Sequence, residues 1–425
     1  MDIEVALRVV AYAIAITALI GTAGAAHDEY DAELWLGSKL YSDENLSLRR
    51  NQACATCHSL EPVRVPGAGL LNAPGFVDPD NVRRGTPVSR GSIPSRTGAL
   101  NAPSAGYAAF SPFFHWDAAE GLFVGGQFWN GRAATLAEQA AGPFLNRVEM
   151  AMPSRWAVVT RLKEDRQYID LFQRVYGLDL DAVPSQDLAP AELPVPPGVF
   201  EVYDRMTQAI AAFEKSRVFN RFTSKFDFVL AGRARLTPRE QRGREIFSDK
   251  GKCALCHVVA PGTAPNGGIQ PPLLTDFTYD NLGVPRNVNI PGNPDPDPGL
   301  AGNPKVAALG VAAQELGKHK VMSLRNIAIT PPYGHNGVFR TLEEIVHFYN
   351  TRDTKPRVCI DNNDKGFGVD CWPEPEIADN VNTDELGALG LTPEEERDLV
   401  AFLKTLTDGF HYPSPFASTP FPPFP

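Results

Sequence analysis

Two stretches of the sequence share one pattern and decide the fold. The first is LGSKLYSDENLSLRRNQACATCHSL, from Leu36 to Leu60, and the second is RGREIFSDKGKCALCHVV, from Arg242 to Val259. Each has a glycine on a predicted helix, then Leu/Ile, Tyr/Phe, Ser and Asp, a short loop, and Cys-Ala-x-Cys-His. An internal repeat of this kind predicts two similar domains rather than one domain with two accidental motifs.

The Cys-x-x-Cys-His pattern is the attachment motif of c-type haem. Two thiols at this spacing add to the two vinyl groups, and the adjacent histidine reaches the iron from the proximal side. A zinc site would need four ligands, and no neighbouring cysteine pair supplies them, whereas a redox dithiol would not need a histidine twice. The sequence therefore predicts two covalently attached haems. The attachment residues are Cys54, Cys57 and proximal His58, then Cys253, Cys256 and proximal His257.

The remaining cysteines, Cys359 and Cys371, have no histidine beside them. In an oxidising compartment such a pair predicts a disulfide that closes a polar surface loop, and two free thiols are the alternative. The disulfide would be structural, with a stabilisation of about 3 kcal/mol.

Composition indicates a globular protein without nucleic-acid partners. The chain has 425 residues, enough for two or three domains, and 43% of them are hydrophobic. Its 36 glycines and 38 prolines predict long loops between short helices, so we expect a mainly α fold. The net charge of −10 favours a basic patch on a protein partner over nucleic acid.

The termini and the repeat suggest a domain layout. Residues 1–26 read as a signal peptide, because an apolar run from Val9 ends in small residues up to Ala26, although an uncleaved membrane anchor is the alternative. Residues 27–225 form the predicted N-terminal haem domain and 226–412 the C-terminal one. Residues 413–425 form a Pro/Phe-rich tail that either docks a partner or covers the surface. We expect an exported, periplasmic protein.

Two longer motifs narrow the function. FWNGRAATLAEQAAGPFLNRVEM, Phe128 to Met150, and SLRNIAITPPYGHNGVFRTLEEIVHFYN, Ser323 to Asn350, closely resemble those of the bacterial di-haem cytochrome c peroxidase family, which includes the MauG-type enzymes. The resemblance extends from about Glu33 to Asp408 and implies two cytochrome c-like haem domains. It also implies that the N-terminal haem is peroxidatic and that the C-terminal haem handles electrons.

The resemblance carries three residues over to the catalytic centre. Trp129 matches the tryptophan between the haems, and Gln139 and Glu149 match the distal pair. Glu149 is then the acid/base that moves a proton between the peroxide oxygens. The alternatives are a core aromatic for Trp129 and a solvated carboxylate for Glu149.

The family also holds a calcium ion near the domain interface. Its ligands there are an asparagine side chain and backbone carbonyls of a Thr-x-Pro segment. In this chain they match Asn101, Thr330 and Pro332. Amide and carbonyl oxygens suit a hard cation.

The chain departs from the peroxidases at the residue that blocks the peroxidatic haem. Those enzymes have a second histidine shortly before the Asn-x-Pro motif, but RRGTPVSRGSIPSRTGALN, from Arg83 to Asn101, contains none. His115 lies in an insertion before Trp129, either near the haem or, as we expect, in a loop or core. Without a blocking residue the N-terminal iron is five-coordinate at rest.

The second departure is a tyrosine where the peroxidases have a methionine ligand. Tyr349 stands fourteen residues after His335, as the methionine does, and MauG-type enzymes also have tyrosine there. Methionine raises the reduction potential, whereas tyrosinate favours ferric and higher iron. Tyr349 is therefore the predicted sixth ligand of the C-terminal haem. The competing ligands are Met322, His347, which points away from Tyr349 on a helix, and His319, expected in a polar turn.

These features favour one function and leave two others open. The first is a MauG-type enzyme in which hydrogen peroxide generates a high-valent di-haem state that oxidises aromatic residues of a partner protein. The second is a conventional cytochrome c peroxidase with a small cytochrome as electron donor, and the third is a non-catalytic electron-transfer protein. The sequence does not rank the tryptophans through which electrons would pass: Trp35, Trp116, Trp156 and Trp372.

Overall fold

Short helices and long loops make up the fold, as the composition predicts. The computed structural model describes residues 31–65, 69–263 and 269–411, so the predicted signal peptide and the tail lie outside the described residues. The α-helices are α1 (31–41), α2 (Cys54–Cys57), α3 (Pro79–Arg84), α4 (Leu136–Leu145), α5 (Arg155–Leu162), α6 (Arg166–Tyr176), α7 (Val199–Lys215), α8 (Lys225–Leu230), α9 (Pro238–Ser248), α10 (Pro304–Ala308), α11 (Leu342–Thr351) and α12 (Pro393–Lys404). The mainly α fold class is confirmed.

The strands are short and occur in pairs. They are β1 (Pro62–Val65), β2 (Gly69–Pro74), β3 (His115–Asp117), β4 (Leu122–Val124), β5 (Gly262–Thr263), β6 (Ile269–Gln270), β7 (Tyr279–Asp280), β8 (His319–Lys320), β9 (Arg357–Cys359) and β10 (Cys371–Pro373). Each pairs with its numerical neighbour, antiparallel except for the parallel pair β9–β10. Among the described residues no sheet has more than two strands.

Side-chain caps fix where the longer helices begin. Thr237, Thr341 and Thr392 each accept a hydrogen bond from the backbone N–H of a glutamate three residues later, which in turn caps the threonine. These capping boxes satisfy backbone donors that a helix start leaves unpaired. The helices before and after the second haem motif are therefore defined locally, by sequence.

The internal repeat has a structural counterpart in two close helix crossings. A Cβ added to Gly37 on α1 would lie 2.0 Å from the Ala209 carbonyl oxygen on α7. A Cβ added to Gly243 on α9 would lie 1.9 Å from the Asp398 carbonyl oxygen on α12. Only glycine permits such an approach, so each haem motif follows a helix that packs directly on the backbone of a later one.

Two large hydrophobic clusters follow the two halves of the chain. Members of the first lie between Leu36 and Phe219, and members of the second lie between Phe226 and Leu406. A smaller cluster joins the halves, because Phe123 packs with Tyr279. The proposed boundary at 225/226 falls between the large clusters, and it stays a prediction.

Buried polar contacts close the seam between the halves. Tyr107 donates to Asp408 at 2.8 Å, and Asp408 also accepts bonds from Thr223 and Asn326. In the second half Arg325 binds Asp227 with both terminal nitrogens, at 3.0 and 2.8 Å, and both side chains are buried. Because a buried charge is costly when unpaired, the bonds from Tyr107 and Thr223 to Asp408 restrict how the halves pack.

Two further features concern the disulfide and the character of the helices. Cys359 and Cys371 form the disulfide that the sequence suggests, between β9 and β10. Within residues 31–65, 69–263 and 269–411, none of the helices has the length and apolar character needed to cross a bilayer.

The crossings predict a specific stability difference between two helical glycines. Gly243→Ala places a methyl group against the α12 backbone, so we expect a loss of about 1–3 kcal/mol in the free energy of unfolding. The matched control is Gly142→Ala on α4, where the nearest atom to an added Cβ is 3.6 Å away. That change should be neutral or stabilise by up to about 1 kcal/mol. Urea unfolding of the holoproteins measures both, and equal effects would contradict the crossing.

Candidate di-haem active centre

One cavity of about 660 Å³ connects the two halves, and it gathers every site residue that the sequence suggests. Those residues are Cys54, Cys57, His58, Asn101, Trp129, Gln139, Glu149, Cys253, Cys256, His257, Thr330, Pro332 and Tyr349. Their shared location is a property of the fold, since they come from segments scattered over some three hundred positions of the chain. Their individual roles stay predictions.

The two haem motifs have the same local geometry. Cys54 to Cys57 forms helix α2, and Cys253 to Leu255 forms a 3₁₀ turn. In each motif the histidine N–H bonds to the carbonyl of the first cysteine at 2.8 Å. All four thiols are outside any disulfide, and burial raises the pKa of each. Thiols held this way are available for covalent attachment rather than for a structural crosslink.

Each proximal histidine is oriented by a backbone carbonyl. His58 Nδ1 lies 3.2 Å from the Phe76 oxygen, and His257 Nδ1 lies 2.9 Å from the Leu274 oxygen. A carbonyl only accepts, so Nδ1 carries the proton and Nε2 keeps a free lone pair for a metal. Burial lowers the pKa of both rings, which favours the neutral form that binds iron. The residues present therefore fit two histidine-ligated haems.

The predicted distal pair comes from α4 and the turn after it. Gln139 lies on α4, whose start is capped by Thr135, and Glu149 accepts a bond from Asn146 Nδ2 at 2.6 Å. Burial raises the pKa of Glu149, and the Arg132 guanidinium and the Asn146 bond oppose that shift. A carboxyl with a raised pKa in a partly enclosed site is suited to proton transfer.

Trp129 lies in the same cavity with its indole fixed. Its Nε1 donates to the Asn101 carbonyl at 2.9 Å, and its ring meets His319 and His335 edge-on at centroid distances of 6.4 and 6.3 Å. A held, partly buried indole is what a residue between two redox centres requires, because a fixed ring needs little reorganisation.

The segment before Asn101, where the peroxidases have their blocking histidine, forms part of the cavity wall. From the segment before Asn101, the cavity wall includes Ser89, Arg90 and Gly98 but no imidazole. His115 lies on β3, exposed, with Nδ1 2.8 Å from the Phe113 oxygen, and it is not part of the cavity wall. The expectation of a loop or core position is thus wrong: His115 is an exposed strand residue outside the cavity wall.

Tyr349 lies on α11 and lines the cavity near the second haem motif. Its hydroxyl has no hydrogen-bond partner in the part of the chain that the structure describes, and burial raises its pKa above the ordinary value. A half-buried phenol that lines a cavity and has no protein partner is available to a group bound there. The position therefore suits a ligand of the second iron.

The competing ligands differ in position. His347 has both nitrogens engaged, with Glu396 at 2.8 Å and Lys355 at 2.7 Å, and lies outside the cavity wall. Met322 does line the cavity. For His319 the expectation of a polar turn was wrong: it is buried on β8 and stacks on His335 at 3.6 Å. The sequence around His319 resembles a turn, but the residue lies on strand β8, which pairs with β7.

The cavity also contains charged groups that the sequence did not reveal. Glu214 on α7 is buried, its Oε2 has no partner among the described residues, and burial raises its pKa to about 8. Burial lowers the pKa of Lys320 to about 7, although Nζ bonds to Ser111 Oγ and the Gly126 carbonyl. Of these two residues, only Glu214 has a signal in the sequence, because it is a charged residue inside an apolar helical stretch.

The cavity is bordered by two sets of residues, each with two thiols and one oriented imidazole. This arrangement defines a protein with two covalently attached haems. The family model for di-haem cytochrome c peroxidase matches residues 31–235. The methylamine utilization protein MauG of Paracoccus denitrificans is 37% identical over 92% of this chain and 93% of that protein. The chain belongs to the di-haem cytochrome c peroxidase family, as its motifs predict, and is a haem oxidoreductase with two c-type haems.

Two other relatives agree. The cytochrome c peroxidase Ccp of Escherichia coli is 31% identical over 73% of this chain and 51% of that protein. The crystal structure of the dihaem peroxidase BthA from Burkholderia thailandensis matches with a TM-score of 0.69 and 30% identity, covering 89% of this chain and 86% of that one. The resemblance to MauG-type members is thus confirmed at the level of family.

The environment of Glu149 predicts a pH effect. If the carboxylate takes the peroxide proton, the second-order rate rises with pH through the pKa of Glu149. Asn146→Ala removes a bond that stabilises the ionised form, so the pKa rises and the ascending limb shifts to higher pH. Glu149→Gln should remove that limb and lower the rate by about 10²–10⁴-fold.

The measurement is stopped-flow mixing of the holoprotein with peroxide between pH 5 and 9. Glu138→Gln, an exposed change on α4 beside Gln139, is the control and should leave the limb in place. An unchanged pH profile in both Asn146→Ala and Glu149→Gln would remove Glu149 from the acid/base role.

Proposed function

We propose that this protein is a periplasmic enzyme of MauG type, which uses hydrogen peroxide to oxidise aromatic residues of a partner protein. The observation that carries the proposal is Tyr349, which lines the cavity beside the second haem motif and whose hydroxyl has no hydrogen-bond partner among the described residues. The 37% sequence identity with MauG, over 92% of this chain, supports the proposal.

When bound, the haems supply the redox chemistry, taking two oxidising equivalents from peroxide and passing them to the partner. The protein supplies proton transfer and positioning. Glu149 accepts a proton from one peroxide oxygen and returns it to the other, and Gln139 holds the peroxide beside it. The Arg132 guanidinium opposes the effect of burial on the pKa of Glu149 and so favours the ionised form, which the first of these transfers requires.

Tyr349 determines which function the second haem serves. Burial keeps its proton in place unless a metal replaces it. As phenolate it is a hard, anionic donor that stabilises ferric and more oxidised iron, whereas a methionine thioether stabilises ferrous iron. The tyrosine therefore favours storage of oxidising equivalents over acceptance of an electron from a small cytochrome.

Trp129 connects the two sites in this proposal. Its ring borders the same cavity as both haem motifs, and the hydrogen bond to Asn101 fixes its orientation. We assign it the exchange of electrons between the haems.

The proposed location and domain roles rest on several features. The Cys359–Cys371 disulfide is typical of an oxidising compartment. Residues 1–26 would be the signal peptide, 27–225 the peroxidatic domain, 226–412 the electron-transfer domain and 413–425 a tail. Hydrogen peroxide and an aromatic side chain of a protein are the proposed substrates.

A conventional cytochrome c peroxidase is the second candidate, and Met322 favours it. The thioether lines the same cavity, so it is the alternative sixth ligand for the second haem. That function would require reduction of one haem before peroxide reacts. Gln139 and Glu149 in the cavity favour either peroxidase over a plain electron-transfer protein.

Calcium is the second proposed cofactor, held by Asn101 Oδ1 and the carbonyl oxygens of Thr330 and Pro332. All three residues border one cavity, and none of these oxygens accepts a hydrogen bond from another described residue. Asn101 is held in place through its other atoms, by His335 and Pro87. Neutral amide and carbonyl oxygens are suitable calcium ligands.

The calcium proposal predicts that Asn101→Ala weakens binding by about tenfold or more, a scale typical of metal sites. Titration calorimetry of the chelator-treated holoprotein with Ca²⁺ measures the affinity. Asn363→Ala, an exposed asparagine, is the control. Equal affinity in the Asn101 and Asn363 variants, or no binding to the unaltered protein, would contradict the site.

The main proposal predicts how the diferric protein reacts with hydrogen peroxide. One equivalent, added without prior reduction, should change the absorption spectrum of both haems within the mixing time, and the change should persist. Tyr349→Met should shorten that persistence and raise the potential of the second haem, because the thioether replaces an anionic donor.

Met322→Leu is the matched control, since it removes the alternative ligand and should leave spectrum and potential unchanged. A protein that reacts with peroxide only after reduction would favour the conventional peroxidase. A potential that changes in Met322→Leu but not in Tyr349→Met would assign the ligand to Met322.

A further inference from the structure

We propose that Trp116 is the surface residue through which electrons from the partner protein enter, by way of a row of aromatic rings that leads to the haem cavity. This inference rests on the proposed function. It selects one of the four tryptophans that the sequence left unranked.

Exposure separates the four tryptophans. Trp372 is 3% exposed and Trp156 is half-buried, with its indole nitrogen bonded to the Pro184 carbonyl at 2.7 Å. Trp35 and Trp116 are exposed, at 58% and 49%. Contact with a partner ring requires exposure, so Trp35 and Trp116 are the better candidates.

Ring contacts separate the two exposed residues. Trp116 meets Phe123 at 4.9 Å, Phe123 stacks on Phe114 at 5.3 Å, and Phe114 meets Tyr279 at 6.0 Å. Trp35 contacts no aromatic ring within the described part of the chain. A row of rings at such short steps is an effective medium for electron tunnelling, and of the two exposed tryptophans it is Trp116 that has one among the described residues.

The inner end of the row lies one residue away from the cavity wall. Tyr279 is buried on β7, and the next residue, Asp280, lines the cavity near Cys256. In the β7–β8 pair Tyr279 lies opposite Lys320, whose backbone N–H donates to the Trp129 carbonyl at 2.9 Å. Backbone contacts therefore join the inner end of the row to the second haem motif, through Asp280, and to Trp129, through Lys320.

The hydrogen bonds indicate which residue of the row holds the radical. The Tyr279 hydroxyl donates to the Gly125 carbonyl, which cannot take up a proton, so Tyr279 keeps its proton and acts as a bridge. Trp116 is half exposed, and its indole can release a proton to water. An electron that leaves Trp116 for the cavity thus produces a neutral indolyl radical at the surface.

The partner then repairs Trp116. One of its aromatic side chains gives an electron, and Trp116 regains a proton from water. Over two such passages the partner loses two electrons and two protons, and one hydrogen peroxide takes up two of each to give two waters. The bond that breaks is the O–O bond of the peroxide.

The surface around Trp116 suits a particular partner face. Phe113 and Leu122 are exposed beside it, and Asp117 and Glu120 lie on the same β3–β4 hairpin. An aromatic side chain surrounded by basic residues would complement this patch in both shape and charge.

The test uses the holoprotein with excess hydrogen peroxide, in aerated buffer and without a partner. Radicals at a surface indole react with oxygen, and peptide mass spectrometry locates the product. We expect oxygenated tryptophan at Trp116 well above Trp35, although Trp35 is the more exposed. In Trp116→Phe the spectral change induced by peroxide should persist longer, whereas Trp35→Phe should match the unaltered protein.

A second variant tests the row itself. Phe123→Leu keeps an apolar side chain but removes one ring, so oxygenation at Trp116 should fall while Trp35 is unaffected. Circular dichroism and the haem spectrum verify that the variant is folded.

The outcomes distinguish the two proposals. If peroxide leaves the diferric spectrum unchanged, the proposed function fails. If the spectral change forms normally but oxygenation follows exposure alone, with Trp35 at or above Trp116, the assignment of Trp116 is overturned while the proposed function stands. The same holds if Trp116→Phe leaves the persistence unchanged.

Discussion

The close contact of a glycine with the backbone of a crossing helix is the constraint on which both haem sites depend. Gly37 and Gly243 let α1 and α9 touch α7 and α12, and the haem motif follows directly after each. The contact fixes where the motif begins, and a carbonyl on the next segment fixes its histidine ring. Because the arrangement occurs twice, the two sets of thiols open into one cavity.

Burial governs the chemistry of that cavity. It raises the pKa of Glu149, Glu214 and Tyr349 and lowers that of Lys320, so it favours the uncharged form of each group. No carboxylate pairs with Lys320 in the described ranges, and the Tyr349 hydroxyl has no partner there. Such groups are costly in a cavity unless a bound group compensates them, which is consistent with a site built for charged, metal-containing cofactors.

Sequence predicted much of this site because each signal was local. A Cys-x-x-Cys-His run specifies its own geometry, and the spacing from His335 to Tyr349 selected one residue of α11, whose start Thr341 caps. The stack of His319 on His335 was missed, because two loops without periodicity bring the rings together. The contact of Phe114 with Tyr279 was missed for the same reason, since a hairpin of the first half has to cross to the second. Long-range contacts between irregular segments leave no periodic pattern.

In the proposed function an oxygen ligand, not sulfur, completes the coordination of the second haem. A crystal structure of the diferric holoprotein, with the irons located by anomalous scattering, tests this directly. We expect Tyr349 Oη at bonding distance from the iron held by His257, and no side chain opposite His58 on the other iron. A Met322 sulfur at the second iron, or a side-chain ligand at the first, would contradict it.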